Sequence, residues 1–169
     1  MRFTAEDIVK VIPHRPPFLL IDSVEIIEFG KGGVGQKGLV KDDSFGDFFD
    51  TYLPSKRIMP RPMIIEAAAQ TAAFVVAGER LLKEGRGNEG DAGGPAAGVP
   101  VGVPVGYLVK IGDFSFSGDA VEGDTLRLNV VLDNVFGALH KFSVVAEAGG
   151  VEIARGSLTF SVERAGGGG

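Results

Sequence analysis

The run "PMIIEAAAQTAAFVVAG", Pro62 to Gly78, constrains the fold more than any other stretch. It reads as a helix that is apolar on every side, and such a helix must be enclosed by other elements. Glu66 and Gln70 interrupt it one turn apart, on the same helix face. A bilayer crossing takes about 20 residues. This run is shorter and leans on alanine, so a buried helix of a soluble domain is the reading. A lone buried carboxylate is costly without partners, so Glu66 is either hydrogen-bonded inside the core or the lining of a site.

The flanks sharpen the expectation. Pro62 suits a first helical position, where its missing N–H is no loss. Met59 and Arg61 each precede a proline, so the approach should be extended. The pattern continues to about Glu84, with Gly85 as a stop, which predicts roughly 33 Å of helix.

Strands must supply the enclosure. A short helix is expected over Thr4 to Val11, capped by Thr4; three prolines then hold "IPHRPPF" in an irregular path. "FLLIDSVEIIEF", Phe18 to Phe29, has strand composition, and "VGQKGLV" reads as its hairpin partner. In the second half Leu126, Leu128, Val130 and Leu132 alternate onto one face, as do His140, Phe142, Val144 and Ala146. Phe114 and Phe116 share a face of "YLVKIGDFSFSG", and Gly149-Gly150 signals a tight hairpin. One long helix against a curved antiparallel sheet is an α+β arrangement in which the sheet wraps the helix.

Composition removes several functions. At 169 residues the chain fits one domain, expected over 1–165, with "RAGGGG" placing a disordered tail at 166–169. The Gly/Pro-rich segment 85–106 reads as a mobile loop within that domain. A net charge of -5 speaks against nucleic acid. No segment reads as a signal peptide. The absence of cysteine excludes disulfides and thiolate chemistry and fits a reducing, cytoplasmic setting. His14 and His140 lack metal-ligand spacing, so no metal is expected. No cofactor is implied, and Glu122 to Asp124 is read as a turn.

Order and motif now meet a known family. "IPHRPPFLLIDSV", "FFDTYLPSKRIMPRPMIIEAAAQ" and "VGYLVKIGDFSFSGDAVEGDTLRL" together resemble the 3-hydroxyacyl-(acyl-carrier-protein) dehydratases of fatty-acid synthesis. The resemblance implies the hot-dog fold, a homodimer, and an acyl-carrier-protein or coenzyme A thioester as partner. It implies a catalytic glutamate at Glu66 and places Tyr52 where the family has its catalytic histidine. Arg61 stands at the glycine whose N–H faces the thioester carbonyl, Pro62 removes the next N–H, and Gln70 completes the substrate-binding set. The matching histidine of the opening motif, His14, is expected to order "IPHRPPF".

Dehydration needs a base for the C2 proton and an acid for the hydroxyl. A phenol with pKa about 10 donates but hardly accepts near neutrality. Tyr52 is therefore either a packing residue or a hydrogen-bond donor, and the general base is missing. Arg61 with Lys56 and Arg57 is either a solvated loop or an attraction for an acidic carrier or its phosphate. Three functions follow: an acyl-thioester-binding protein with weakened dehydratase activity, a thioester hydrolase using Glu66, or one subunit of a heterodimer whose paralogue supplies histidine.

Overall fold

The alternating apolar residues of the second half form four long strands, and glycines set turns between them. Gly149 and Gly150 have φ of 58° and 82°, the left-handed pair that a two-residue hairpin demands. The computed structural model describes residues 1–40, 58–79, 81–82 and 106–162. Tyr52, Lys56, Arg57, the 166–169 tail and the 85–106 loop up to residue 105 lie outside them.

In chain order the elements are β1 (Arg2–Thr4), α1 (Ala5–Ile8), β2 (Ser23–Glu28), β3 (Gly32–Gly38), α2 (Arg61–Ala77), β4 (Gly106–Phe116), β5 (Thr125–Phe136), β6 (Leu139–Ala148) and β7 (Val151–Val162). The seven strands make one antiparallel sheet in the order β1-β2-β3-β5-β6-β7-β4. Both halves of the sequence therefore contribute to a single α+β layer pair. Register shifts in β2, β4, β5 and at the β6–β7 pairing interrupt the ladder, and such bulges bend a sheet.

The helix packs on one face of the sheet. Ile64, Ala67, Ala68, Ala72, Phe74 and Val75 are buried against Leu126, Leu128, Val130, Phe142 and Leu158 from the sheet. Small residues set how closely the two layers meet. A Cβ built on Gly35 of β3 would collide with the side chain of Thr71, and one on Gly33 would come within 2.9 Å of Val75.

Several expectations change at element ends. The main helix stops at Ala77, with Gly78 as its C-cap, so it runs about 25 Å and not 33 Å. Pro60 is the N-cap and Pro62 is the second helical residue, one place later than expected. The stretch Leu19–Asp22 is not strand: Leu20 N–H donates to the Gln70 side chain, and paired β2 begins at Ser23, just after Asp22 N–H reaches the Gln36 carbonyl of β3. α1 closes after Ile8, with the Asp7 carboxylate accepting the Thr4 N–H. Nor is α2 fully enclosed: Ile65, Ala73 and Val76, though packed against the core, are only partly buried on the side of Glu66.

Candidate active site

Helical spacing brings Glu66 and Gln70 together as the sequence implied, with Gln70 Nε2 donating to Glu66 Oε1 at 3.0 Å. The third member of the group is one that sequence spacing does not show. His14 Nε2 lies 3.2 Å from the same oxygen, Glu66 Oε1. The expectation that no imidazole stands beside Glu66 is thereby corrected. Fifty-two residues separate the pair, and only the fold of "IPHRPPF" over the start of α2 joins them.

Gln70 is 1% exposed, and protein groups occupy its polar ends. Its Oε1 accepts the Leu20 N–H at 2.9 Å, and its Nε2 donates to the Phe18 carbonyl at 2.8 Å as well as to Glu66. The backbone fixes the amide's orientation, because an N–H can only donate and a carbonyl can only accept. Nε2 therefore faces Glu66 as a donor, and Oε1 of Glu66 must accept.

His14 fits the same logic. Its Nδ1 is buried without a hydrogen-bond partner among the described residues. A ring protonated on Nε2 donates to Glu66, whether neutral or charged. The adjacent Arg15 guanidinium turns onto the carbonyls of Ile12 and His14. The His14 side chain, expected to order the lead-in segment, touches the candidate catalytic carboxylate.

The hydrogen bond from His14 holds the Glu66 carboxyl below its ordinary value; partial burial opposes this, and Gln70 adds to the lowering. A depressed carboxyl stabilises the fold above its unfolded value of about 4.5, and that contribution is lost as pH falls through the folded value. The Glu66 side chain is 42% exposed, so screening keeps the effect small. Replacing Glu66 by Gln should flatten the acid-side decline of the thermal midpoint. Parallel declines for the two proteins would contradict this assignment.

Arg61 occupies the other side of the helix start. Its guanidinium lies 3.5 Å from Asp119 Oδ1 and 5.1 Å above the Phe116 ring. Pro62 is exposed one turn before Glu66. His140, read as a surface or groove residue, is partly buried on β6. Among the described residues no cluster of three or more His, Cys, Asp or Glu could hold a metal. No described helix is long and apolar enough to cross a membrane.

Comparison with known proteins bears on this arrangement. A FabA-like domain model matches residues 12–156. The chain is 32% identical over 159 residues to 3-hydroxyacyl-[acyl-carrier-protein] dehydratase FabZ of Herpetosiphon aurantiacus, covering 94% of this chain and 97% of that one. It is 32% identical over 160 residues to FabZ of Halalkalibacterium halodurans, with 95% and 99% covered. Among solved structures it is similar to the dehydratase heterocomplex ApeI:P of Xenorhabdus doucetiae, at TM-score 0.64 and 16% identity over 93% of this chain and 91% of that chain. It also resembles the fluoroacetyl-CoA thioesterase FlK, at TM-score 0.52 and 11% identity, with 82% and 89% covered. A helix-borne Glu66 under a wrapped antiparallel sheet, with sequence identity across nearly the whole length, makes this chain a member of the FabA-like, 3-hydroxyacyl-[acyl-carrier-protein] dehydratase family with the hot-dog fold.

Proposed function

We propose that this chain binds acyl thioesters of fatty-acid or related lipid metabolism beside α2, with Glu66 as a proton acceptor, and that its dehydratase activity on its own is strongly reduced. The observation that carries this reading is the double donation into Glu66 Oε1 from His14 and Gln70. A carboxylate held by two donors stays ionised, so it has no proton to give and is left with the acceptor's role, as a weak base. The partly buried apolar residues Ile65, Ala73 and Val76 beside it support an acyl chain lying along the helix.

Elimination of water also needs a proton donor for the departing hydroxyl. Tyr52, placed at the family's histidine position by sequence match alone, offers a phenol. On this reading the family's duties are exchanged. The C2 proton passes to Glu66, the C2=C3 bond forms, and the C3–O bond breaks. The hydroxyl leaves as water with the phenol proton, which protonated Glu66 then restores. A carboxylate below its ordinary range is a weak base and a phenol near pKa 10 a weak acid, so a deficit of roughly 10²–10⁴-fold is expected. Arg61, pinned over Phe116, supports a role toward an acidic carrier or its phosphate more than contact with a carbonyl at Glu66.

The test is incubation with a 3-hydroxyacyl thioester while following enoyl formation and thiol release together. Weak enoyl formation, rising at least about tenfold in Tyr52→His, is expected. Wild-type turnover near the typical enzyme value of about 10 per second would overturn the reduced-activity reading. Two further readings have an observation each. No described residue hydrogen-bonds Glu66 Oε2, which would suit activation of water; thiol release without enoyl product would favour that hydrolase. β4 ends the sheet with Tyr107, Val109 and Ile111 exposed, an edge that supports pairing with a second copy or a paralogue. Enoyl formation appearing only with a His-bearing paralogue would select the heterodimer.

A further inference from the structure

We propose that Gln70 is a positioning residue: it ties the lead-in segment Phe18–Leu20 to Glu66, commits Glu66 Oε1 to that frame, and leaves Oε2 as the oxygen that meets substrate. This rests on the reading of Glu66 as the site's proton acceptor and assigns the working atom within it.

Three hydrogen bonds support the assignment. The Leu20 N–H and the Phe18 carbonyl address opposite ends of one buried amide, at 2.9 and 2.8 Å. Together they leave a single outcome for the remaining amide hydrogen, which points at Glu66 Oε1 at 3.0 Å. With His14 Nε2 on that oxygen too, Oε1 is occupied twice. A proton arriving at the carboxylate goes to Oε2, on a side chain that remains partly open to solvent. Gln70 itself is too deeply buried to touch a ligand. Its influence therefore passes through Glu66, and any displacement of Phe18 to Leu20 is transmitted to the carboxylate.

Among the described residues the charged surroundings are few. His14 is the titratable group that contacts Glu66; Arg15 is turned onto carbonyls, and Arg61 is turned to Asp119. Comparing the carbon-13 carboxyl titration of Glu66 in the wild type and a Gln70 variant, with His14 present in both, therefore reads the contribution of Gln70. In Gln70→Glu the acceptor for Leu20 N–H survives, but a second carboxyl group replaces the donor to Glu66. The Glu66 midpoint should rise by about one pH unit or more. An unchanged midpoint in a variant with the wild-type circular dichroism spectrum overturns the proposal.

The unmodified protein gives a second readout that does not depend on the variant folding. The side-chain amide signals of Gln70 should shift with the Glu66 carboxyl midpoint. Signals that stay still through that titration overturn the proposal. Neither measurement needs turnover, so an inactive protein would count against the proposed function alone.

Discussion

Glu66→Gln should lower turnover by roughly 10²–10⁴-fold, whether the product followed is enoyl thioester or free thiol. The expectation comes from how differently the two oxygens are used. A glutamine placed in the same rotamer still offers one carbonyl oxygen to His14 Nε2 and Gln70 Nε2, which lie 3.2 and 3.0 Å from Glu66 Oε1. The frame is thus retained. The other oxygen becomes an amide nitrogen, which cannot accept a proton. Thermal stability near neutral pH should change little while product formation collapses. A variant that keeps its activity would remove Glu66 from the chemistry altogether.

The second large effect concerns the seat of the helix. Gly35→Val should cost about 3 kcal/mol, at the upper end of ordinary overpacking in a core. A Cβ on Gly35 would run into Thr71, whose hydroxyl is already committed to the Ala67 carbonyl at 2.9 Å. Neither layer can yield cheaply, because Gly35 pairs with both Val24 and Leu128 in the sheet. Chemical denaturation of Gly35→Val, Thr71→Ala and the double variant measures the conflict directly. The double variant should recover a substantial part of the loss, a coupling expected of side chains in contact. Simple additivity would mean that the close approach at Gly35 is not what limits the packing.

These two sites also separate what is legible in the chain from what is not. The spacing of Glu66 and Gln70 puts both on one helix face, and the alternation in β5 and β6 names the buried residues Leu126, Leu128, Val130, Phe142 and Val144. Helical and strand periodicities are local, so a single sequence displays them. The lead-in segment is harder. "FLLID" has the composition of a strand, yet Leu20 spends its N–H on Gln70, fifty residues away. Propensity describes a residue's neighbours in the chain and is silent about such a partner. The expected helix is too long for a related reason: Gly78 ends it, although apolar residues continue beyond.

An alanine-rich helix carrying one carboxylate had to be wrapped by antiparallel strands, and that much is written in the order of residues. Hydrophobic period and turn chemistry act over a few positions and leave little choice. The company Glu66 keeps is a different matter and belongs to the folded molecule. The imidazole lies fifty-two positions upstream and reaches the carboxylate because Phe18 and Leu20 are fastened to Gln70. A hydrogen bond depends on separation in space, and no spacing rule in one sequence encodes that distance.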